Sequence, residues 1–181
     1  MQSQAYNKTY HHSIVRPLCY FLVWLILHTL IRCFEDLFKA SCKKIAATEK
    51  LSKDEVKKDH QDKFRQDLGL RVFYPQSGGG TSNTGNRARH VFNNIGKSSK
   101  ILKVNPELMK GLKSLIGHVS SQKEILDPDQ FRRTSEHVWK LYQDELQECK
   151  PMCPTVHRLL THGGDFLEIC KTNQIAPGSL Q

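Results

Sequence analysis

The stretch NPELMKGLKSLIGHV, residues 105–119, indicates the fold class of this 181-residue chain. Asn105 is a favoured N-cap residue, and Pro106 suits the first helical position, where no backbone N–H is needed. Apolar residues then recur at helical spacing, at Leu108, Leu112, Leu115, Ile116 and Val119. The pattern predicts an amphipathic helix that buries this one face.

Proline and a cap residue open further helices downstream. Asp127-Pro128 repeats the device, with Gln130 at the third helical position. The helix that follows is expected to turn one stripe inward, formed by Phe131, Ser135, Val138, Tyr142 and Leu146. Pro154 is expected to start another helix.

A charged helix is expected upstream. Ser52 and Glu55 match a capping box, in which each side chain accepts from the other's backbone N–H. Gly69 stands where a helix commonly ends in a left-handed residue. No segment shows the alternation of a strand, so the expected fold is all-α: an irregular array of short helices, several started by proline, with a glycine-rich loop and a disordered N-terminal tail.

Four segments follow from this pattern. Residues 1–17 are expected to form the disordered tail. Residues 18–70 should hold an apolar helix, over about 18–44, and the charged helix. Residues 71–104 should form a glycine-rich basic loop with a short helix over about 85–92. Residues 105–181 should be a helical region that contains a histidine pair.

The apolar run LCYFLVWLIL, residues 18–27, has two interpretations. It reaches membrane-spanning length over residues 18–34 only by including His28 and Arg32. One interpretation is therefore a membrane helix, and the other is a helix buried in the protein core. If the segment spans, the lysines that follow it place the C-terminal side in the cytoplasm.

The middle third of the chain is strongly basic. From Arg71 to Lys123 there are nine lysines and arginines, and the only acidic residue is Glu107. Such an excess favours a polyanionic partner, with nucleic acid as the first candidate. A solvated basic face without a partner is the alternative.

The basic region contains GGGTSNTGNRARHVF, residues 78–92. A flexible glycine run before a helix start and arginines suits the binding of an anion such as phosphate. The stretch lacks the P-loop pattern, and no apolar strand precedes a dinucleotide fingerprint. A plain surface loop that ends in a short amphipathic helix is the alternative.

The six cysteines lack the density of a secreted disulfide scaffold, which predicts reduced thiols and an intracellular protein. Cys149, Cys153, His157 and His162 are four residues of zinc-ligand type, but their spacing is too tight for a known finger. The two histidines could share a metal only if their helix ends or bends at Gly163-Gly164. Ordinary helix histidines and buried thiols are the alternative.

The residues by themselves predict no enzyme. No nucleophile lies in a recognisable pattern with a base. The acidic pair Asp144-Glu145 is expected on a solvated helix face.

Three collinear stretches resemble one family. They are LHTLIRCFEDLFKASCKK (residues 27–44), the glycine-rich stretch, and PMCPTVHRLLTHGGDFLEI (residues 151–169), which is followed by APGSL. Together they resemble the C-terminal half of Transib-type transposases, to which the catalytic subunit of the V(D)J recombinase is related. The likeness covers roughly residues 27–181.

The resemblance implies a DNA-binding role for the glycine-rich stretch. The family motif is matched at Asn83, Gly85, Asn86, Ala88, Arg89 and Phe92, while Thr84, Arg87 and His90 depart from it. The family uses this stretch against the DNA backbone, which implies that role for Asn86 and Arg89. With Arg87 as a substitute cation, the predicted DNA-binding set is Asn83, Asn86, Arg87 and Arg89, and the predicted partner is DNA, bound weakly and without sequence preference.

The resemblance also implies what is missing. In the family, the positions of His157 and His162 supply half of a zinc site whose cysteines lie far upstream. Zinc is therefore the only cofactor expected. Cys149 and Cys153 are not family positions, so they could serve only as improvised ligands. The three catalytic carboxylates of the family fall outside this sequence, so no catalytic magnesium site is expected. The expected protein is a catalytically inactive, transposase-derived fragment, nuclear or otherwise intracellular, that lacks the transposase core domain as a partner. The alternative is a small single-pass membrane-anchored protein with a basic cytoplasmic region.

Overall fold

The computed structural model describes residues 28–74, 83–121, 127–174 and 176–177. These ranges contain seven α-helices and no β-strand, which confirms the all-α prediction. Helix α1 occupies residues 28–49. The others are α2 (Lys53–Leu68), α3 (Gly85–Asn93), α4 (Ile95–Leu102), α5 (Pro106–Val119), α6 (Pro128–Leu146) and α7 (Pro154–Thr172).

The ends of α2 form as the sequence predicts. The Ser52 hydroxyl accepts from the Glu55 backbone N–H at 3.2 Å, and the Glu55 carboxylate accepts from the Ser52 N–H at 2.9 Å. Gly69 ends the helix with a φ of 67°, a left-handed conformation that favours glycine. Val56, His60 and Phe64 form its buried stripe.

Three helices begin at prolines, as expected. The Asn105 side chain accepts from the Glu107 N–H ahead of α5, and Asp127 accepts from the Asp129 N–H ahead of α6. The predicted inner positions of both helices are buried: Leu108, Leu112, Leu115, Ile116 and Val119 in α5, and Phe131, Ser135, Val138, Tyr142 and Leu146 in α6. Helix α7 begins at Pro154.

Helix α1 lies at the centre of the fold. From residue 33 to residue 46 only Lys39 is exposed. Phe34 packs edge-on against Phe64 of α2, with ring centroids 5.7 Å apart, and Lys44 pairs with Glu145 of α6 at 3.1 Å. A single apolar core contains residues from α1 through α7, so the predicted chain segments share one core.

Glu145 differs from its prediction as a solvated acid. Its two carboxylate oxygens accept from the backbone N–H of Asn105, at 3.0 and 2.9 Å, in addition to the contact with Lys44. Position 145 borders the buried stripe of α6, so the side chain turns towards the α4–α5 connection. Asp144 is exposed, as expected.

Glycines allow α6 to approach its neighbours closely. A Cβ at Gly163 would lie 2.5 Å from two ring atoms of Phe131, and one at Gly164 would lie 2.7 Å from Cγ of Arg132. A Cβ at Gly111 of α5 would collide with Val138. Helix α7 continues through both glycines to Thr172, so it does not end at Gly163-Gly164, where an end would have allowed His157 and His162 to share a metal.

Helix α4 was not expected from the sequence. Its buried side includes two serines, Ser98 and Ser99, which obscure the apolar periodicity. The Ser98 hydroxyl is satisfied by the carbonyl oxygen of Val91, at 2.9 Å. The predicted short helix α3 is present and ends at Asn93.

Residues 1–27, which include the expected disordered tail and the run LCYFLVWLIL, lie outside the described residues, as does the glycine run 78–80. Across the part of the chain that the structure describes, no helix has the length and apolar character required to cross a membrane. Within residues 28–34, Cys33 and Phe34 are fully buried, and Arg32 pairs with Glu35 at 2.9 Å.

Candidate functional site

Asn83 belongs to the predicted DNA-binding set, but its amide is engaged within the protein. Its oxygen accepts from the backbone N–H of Phe73 at 3.0 Å, and its nitrogen donates to Oε1 of Glu35 at 3.2 Å. The side chain thus joins both sides of the glycine-rich loop to α1. This half-buried position therefore has a role in the fold.

Thr84 departs from the family motif and caps α3. Its hydroxyl accepts from the Arg87 backbone N–H at 3.3 Å, which satisfies one of the free donors of the first turn. Arg87 itself is half-buried, next to the fully buried Ala88. The cap therefore sets the direction in which α3 leaves the loop.

Asn86 and Arg89 are brought together on the exposed side of α3. Nη1 of Arg89 donates to Oδ1 of Asn86 at 3.0 Å. A guanidinium has five N–H donors, so this bond orients Arg89 and leaves several donors for an anion. Both residues are exposed to solvent.

The two faces of α3 differ sharply. Ala88, Val91 and Phe92 are buried in the core, whereas the exposed positions are Asn86, Arg89, His90 and Asn93. No acidic residue occurs in the sequence between Asn83 and Pro106. The exposed side of α3 is therefore polar and cationic, without internal compensation.

Basic residues continue on α4, where sequence reasoning missed the helix. Lys97 and Lys100 are exposed, and Nζ of Lys97 donates to the carbonyl oxygen of Asp67 at 3.2 Å. Lys103 follows the helix and forms an ion pair with Glu49. Arg89, Asn93, Lys97 and Lys100 lie three or four residues apart, and this helical spacing was the sequence signal for a second exposed helix.

The predicted metal ligands are not brought together. His157 and His162 are both exposed on α7, and five residues on one helix separate them by about 140°. His157 packs edge-on against Trp139 of α6, with centroids 5.4 Å apart. Among the described residues, no three or more histidines, cysteines or acids are arranged to hold a metal ion.

The two cysteines of the predicted set are half-buried. Cys149 lies in the turn after α6, and Cys153 precedes the first residue of α7. Burial raises the pKa of the Cys153 thiol, which disfavours the thiolate that zinc requires. The spacing C-x3-C-x3-H-x4-H thus does not produce a local four-ligand cluster in the described fold.

A buried polar network around Asp36 was missed. Its carboxylate accepts from the Tyr142 hydroxyl at 2.8 Å, from the Cys153 backbone N–H at 3.3 Å and from the Lys150 ammonium. Burial, reinforced by Asp36, raises the pKa of Tyr142 well above its usual range. The acceptor capacity of the carboxylate is used in joining α1 to α6 and α7, so the network is an anchor of the fold.

The thiol of Cys33 lies beside this network. Complete burial, and to a lesser extent the neighbouring Cys153 and Asp36, raise its pKa well above the usual range. A protonated, inaccessible thiol is a poor nucleophile. An acidic residue inside the apolar pattern of residues 33–46 was the only sequence signal for the network.

No protein-family model matches this chain, and no curated protein is similar to it in sequence.

Proposed function

We propose that this chain is a catalytically inactive, transposase-derived helical protein that binds duplex DNA weakly and without sequence preference. The observation that carries the proposal is the exposed side of α3, where Arg89 and Asn86 are hydrogen-bonded to each other within a segment free of acidic residues. The resemblance to Transib-type transposases supports the same residues as contacts to the DNA backbone.

The chemistry of these groups suits phosphate. Arginine and asparagine are common donors to phosphate oxygens, and contacts of this kind position a duplex without reading its bases. Neutralising phosphates releases condensed counterions, so the affinity should depend steeply on salt. A DNA partner would place the protein in the nucleus.

The proposed inactivity rests on the carboxylates. Two-metal phosphoryl transfer needs several carboxylates that converge on the metals, and none of the family's three catalytic carboxylates corresponds to a residue in the stretches that resemble the family. Among the described acids, Asp36 and Glu35 are buried and engaged within the fold.

Weak zinc binding by His157 and His162 is part of the proposal. In the related family these positions supply half of a tetrahedral site. Two exposed imidazoles that diverge on one helix would hold zinc poorly without further ligands.

The experiment is a fluorescence-anisotropy titration of the full chain with several unrelated duplexes, from about 50 to about 200 mM salt. We expect similar affinities for all sequences and a linear fall of log K with log salt concentration. Arg87→Ala combined with Arg89→Ala should weaken binding to every duplex. The matched control is Arg133→Ala with Arg158→Ala, which removes two exposed arginines from α6 and α7. Absence of binding at the lowest salt, or tight binding that ignores salt, would contradict the proposal.

A further inference from the structure

Helices α3 and α4 form one bent helical unit. Asn94 is the C-cap of the first and the N-cap of the second. Its backbone N–H donates to the carbonyl oxygens of His90 and Val91, each at 3.2 Å, and its own carbonyl oxygen accepts from the Ser98 N–H at 2.9 Å. The side-chain amide adds a bond to the His90 carbonyl oxygen at 2.9 Å. Asn94 therefore joins the last turn of α3 to the first turn of α4 by hydrogen bonds in both directions.

Apart from Gly96, the exposed residues of this unit are Asn86, Arg89, His90, Asn93, Lys97 and Lys100, which we call the α3–α4 stripe. Steps of three and four residues separate successive groups, the spacing that keeps side chains on one helix face. The opposite side is buried in the core through Ala88, Val91, Phe92, Ser98, Ser99, Ile101 and Leu102.

The composition of the stripe selects the kind of partner. It contains cations and amides, and no acidic, aliphatic or six-membered aromatic side chain. Proteins that hold single-stranded nucleic acid use aromatic platforms for base stacking, and helices that lie on membranes present an apolar face. Neither feature is present, whereas both amides and cations are donors to the phosphates of a duplex.

The charges of the stripe are not compensated by neighbouring acids. Within the described residues neither Lys97 nor Lys100 takes part in an ion pair, and Arg89 is bonded only to the neutral amide of Asn86. By contrast, Lys103 is paired with Glu49. At 1.5 Å per residue the stripe extends for up to about 21 Å, long enough to pass several phosphates.

We propose that the α3–α4 stripe is the duplex-binding surface and that Lys97 and Lys100 are phosphate ligands alongside Arg89. This rests on the proposed function, and it replaces the set predicted from the sequence: Asn83 leaves it, and two lysines of an unexpected helix enter. The occupant is the phosphate backbone of double-stranded DNA.

The test compares two double variants of the full chain that lose equal charge. One is Lys97→Gln with Lys100→Gln. The control is Lys140→Gln with Lys171→Gln, on α6 and α7, where both lysines are exposed and form no ion pair among the described residues. Both are titrated with unrelated duplexes over a salt series, and with vesicles that contain an anionic lipid.

We expect the stripe variant to lose roughly tenfold in affinity at about 100 mM salt, equally for every duplex, and its salt slope to fall by about 1.8. The control should keep the slope of the unmodified protein. Lys97→Arg with Lys100→Arg should retain binding, because the charge and the donors remain. Circular dichroism of each variant verifies that the fold is intact.

The outcomes separate the two proposals. If the unmodified protein fails to bind any duplex, the proposed function itself is wrong. If the unmodified protein binds and the stripe variant keeps its slope, or the control loses as much, the surface is not the stripe while the proposed function stands. Binding to anionic vesicles that depends on Lys97 and Lys100, without binding to duplexes, would replace DNA by a membrane partner and overturn the inference.

Discussion

Ser41 Oγ lies 2.8 Å from Nε2 of His60, and the same hydroxyl donates to the carbonyl oxygen of Leu102. Because the hydroxyl has one proton, its oxygen must accept from Nε2–H, and in the neutral imidazole a proton on Nε2 leaves Nδ1 unprotonated. Nδ1 is buried without a hydrogen-bond partner, and the nearest acid oxygen, Oδ2 of Asp59, is 3.7 Å away. A neutral histidine therefore joins α1, α2 and the end of α4.

Stability should fall as the solution is acidified below about pH 6.5. Burial lowers the pKa of His60 to about 4, so from about pH 6.5 down to 4 the unfolded chain binds a proton that the folded chain does not. The stabilisation from neutral His60 is complete above about pH 6.5 and is lost as the pH falls towards 4. Urea unfolding should show a free energy lower by about 2 kcal/mol at about pH 5 than near pH 7.5.

His60→Gln is the control for this pH dependence. Without the imidazole, most of the change between these pH values should disappear, while a smaller change of the same sign remains from His118, whose pKa burial also lowers. Identical pH dependence in the variant and the unmodified protein would show that His60 does not titrate as the geometry requires.

Removing the buried carboxylate should destabilise the protein strongly. Asp36→Ala removes the acceptor of the Tyr142 hydroxyl and leaves the Lys150 ammonium with only the Pro151 carbonyl oxygen, and breaking a buried ion pair costs about 3–5 kcal/mol. Urea denaturation measures the loss. Asp62→Ala, at an exposed position of α2, should leave the midpoint unchanged. Equal effects of the two substitutions would argue against the network as an anchor.

Two glycine-to-alanine substitutions should have opposite signs. At Gly163 the added methyl group meets the Phe131 ring and should destabilise the protein by about 1–3 kcal/mol. At Gly117 nothing lies within 4 Å of the new Cβ, so the gain in helix propensity should stabilise it by about 0.5–1 kcal/mol. Thermal melting of the pair compares them, and stabilisation by both would mean that α6 and α7 are less closely packed than described.

Purified protein should leave DNA intact in the presence of Mg²⁺ or Mn²⁺. The reason is that two-metal phosphoryl transfer needs converging carboxylates, and none of the family's three corresponds to a residue in the stretches that resemble it. Supercoiled plasmid and hairpin substrates, resolved on gels, provide the measurement. Nicking that persists through repurification and disappears on mutation of an acidic residue in this chain would disprove the proposed inactivity.

Zinc should be removed easily by a mild chelator. His157 and His162 diverge on α7, and the Cys153 thiol is held in its protonated form. Metal content after dialysis, with and without His162→Ala, should be far below one zinc per chain in both cases. Stoichiometric zinc that resists dialysis and depends on His162 would require that Cys149 and Cys153 rearrange into a local site.

Sequence reasoning succeeded where the cause of a structure is local. The Ser52–Glu55 capping box and the Asn105-Pro106 and Asp127-Pro128 helix starts depend on residues a few positions apart, and all three are present. The inner stripes of α5 and α6 follow from helical periodicity in the same way.

Contacts between residues far apart in the sequence were not predicted. The Asn83 amide donates to Glu35, 48 residues away. Gly163 and Gly164 allow a close approach to Phe131 and Arg132 on another helix. No local pattern carries this information, because these contacts form only when distant segments pack together.

The position of α1 has a consequence for synthesis on the ribosome. Asp36 is made 114 residues before Lys150 and 117 residues before Cys153. At about 5–20 residues per second, roughly 6 to 23 s pass before its last partner is translated. Until then the Asp36 carboxylate lacks its native hydrogen-bond partners, so α1 cannot be buried as it is in the folded protein. The core around Asp36 is therefore completed only after the start of α7 has been made.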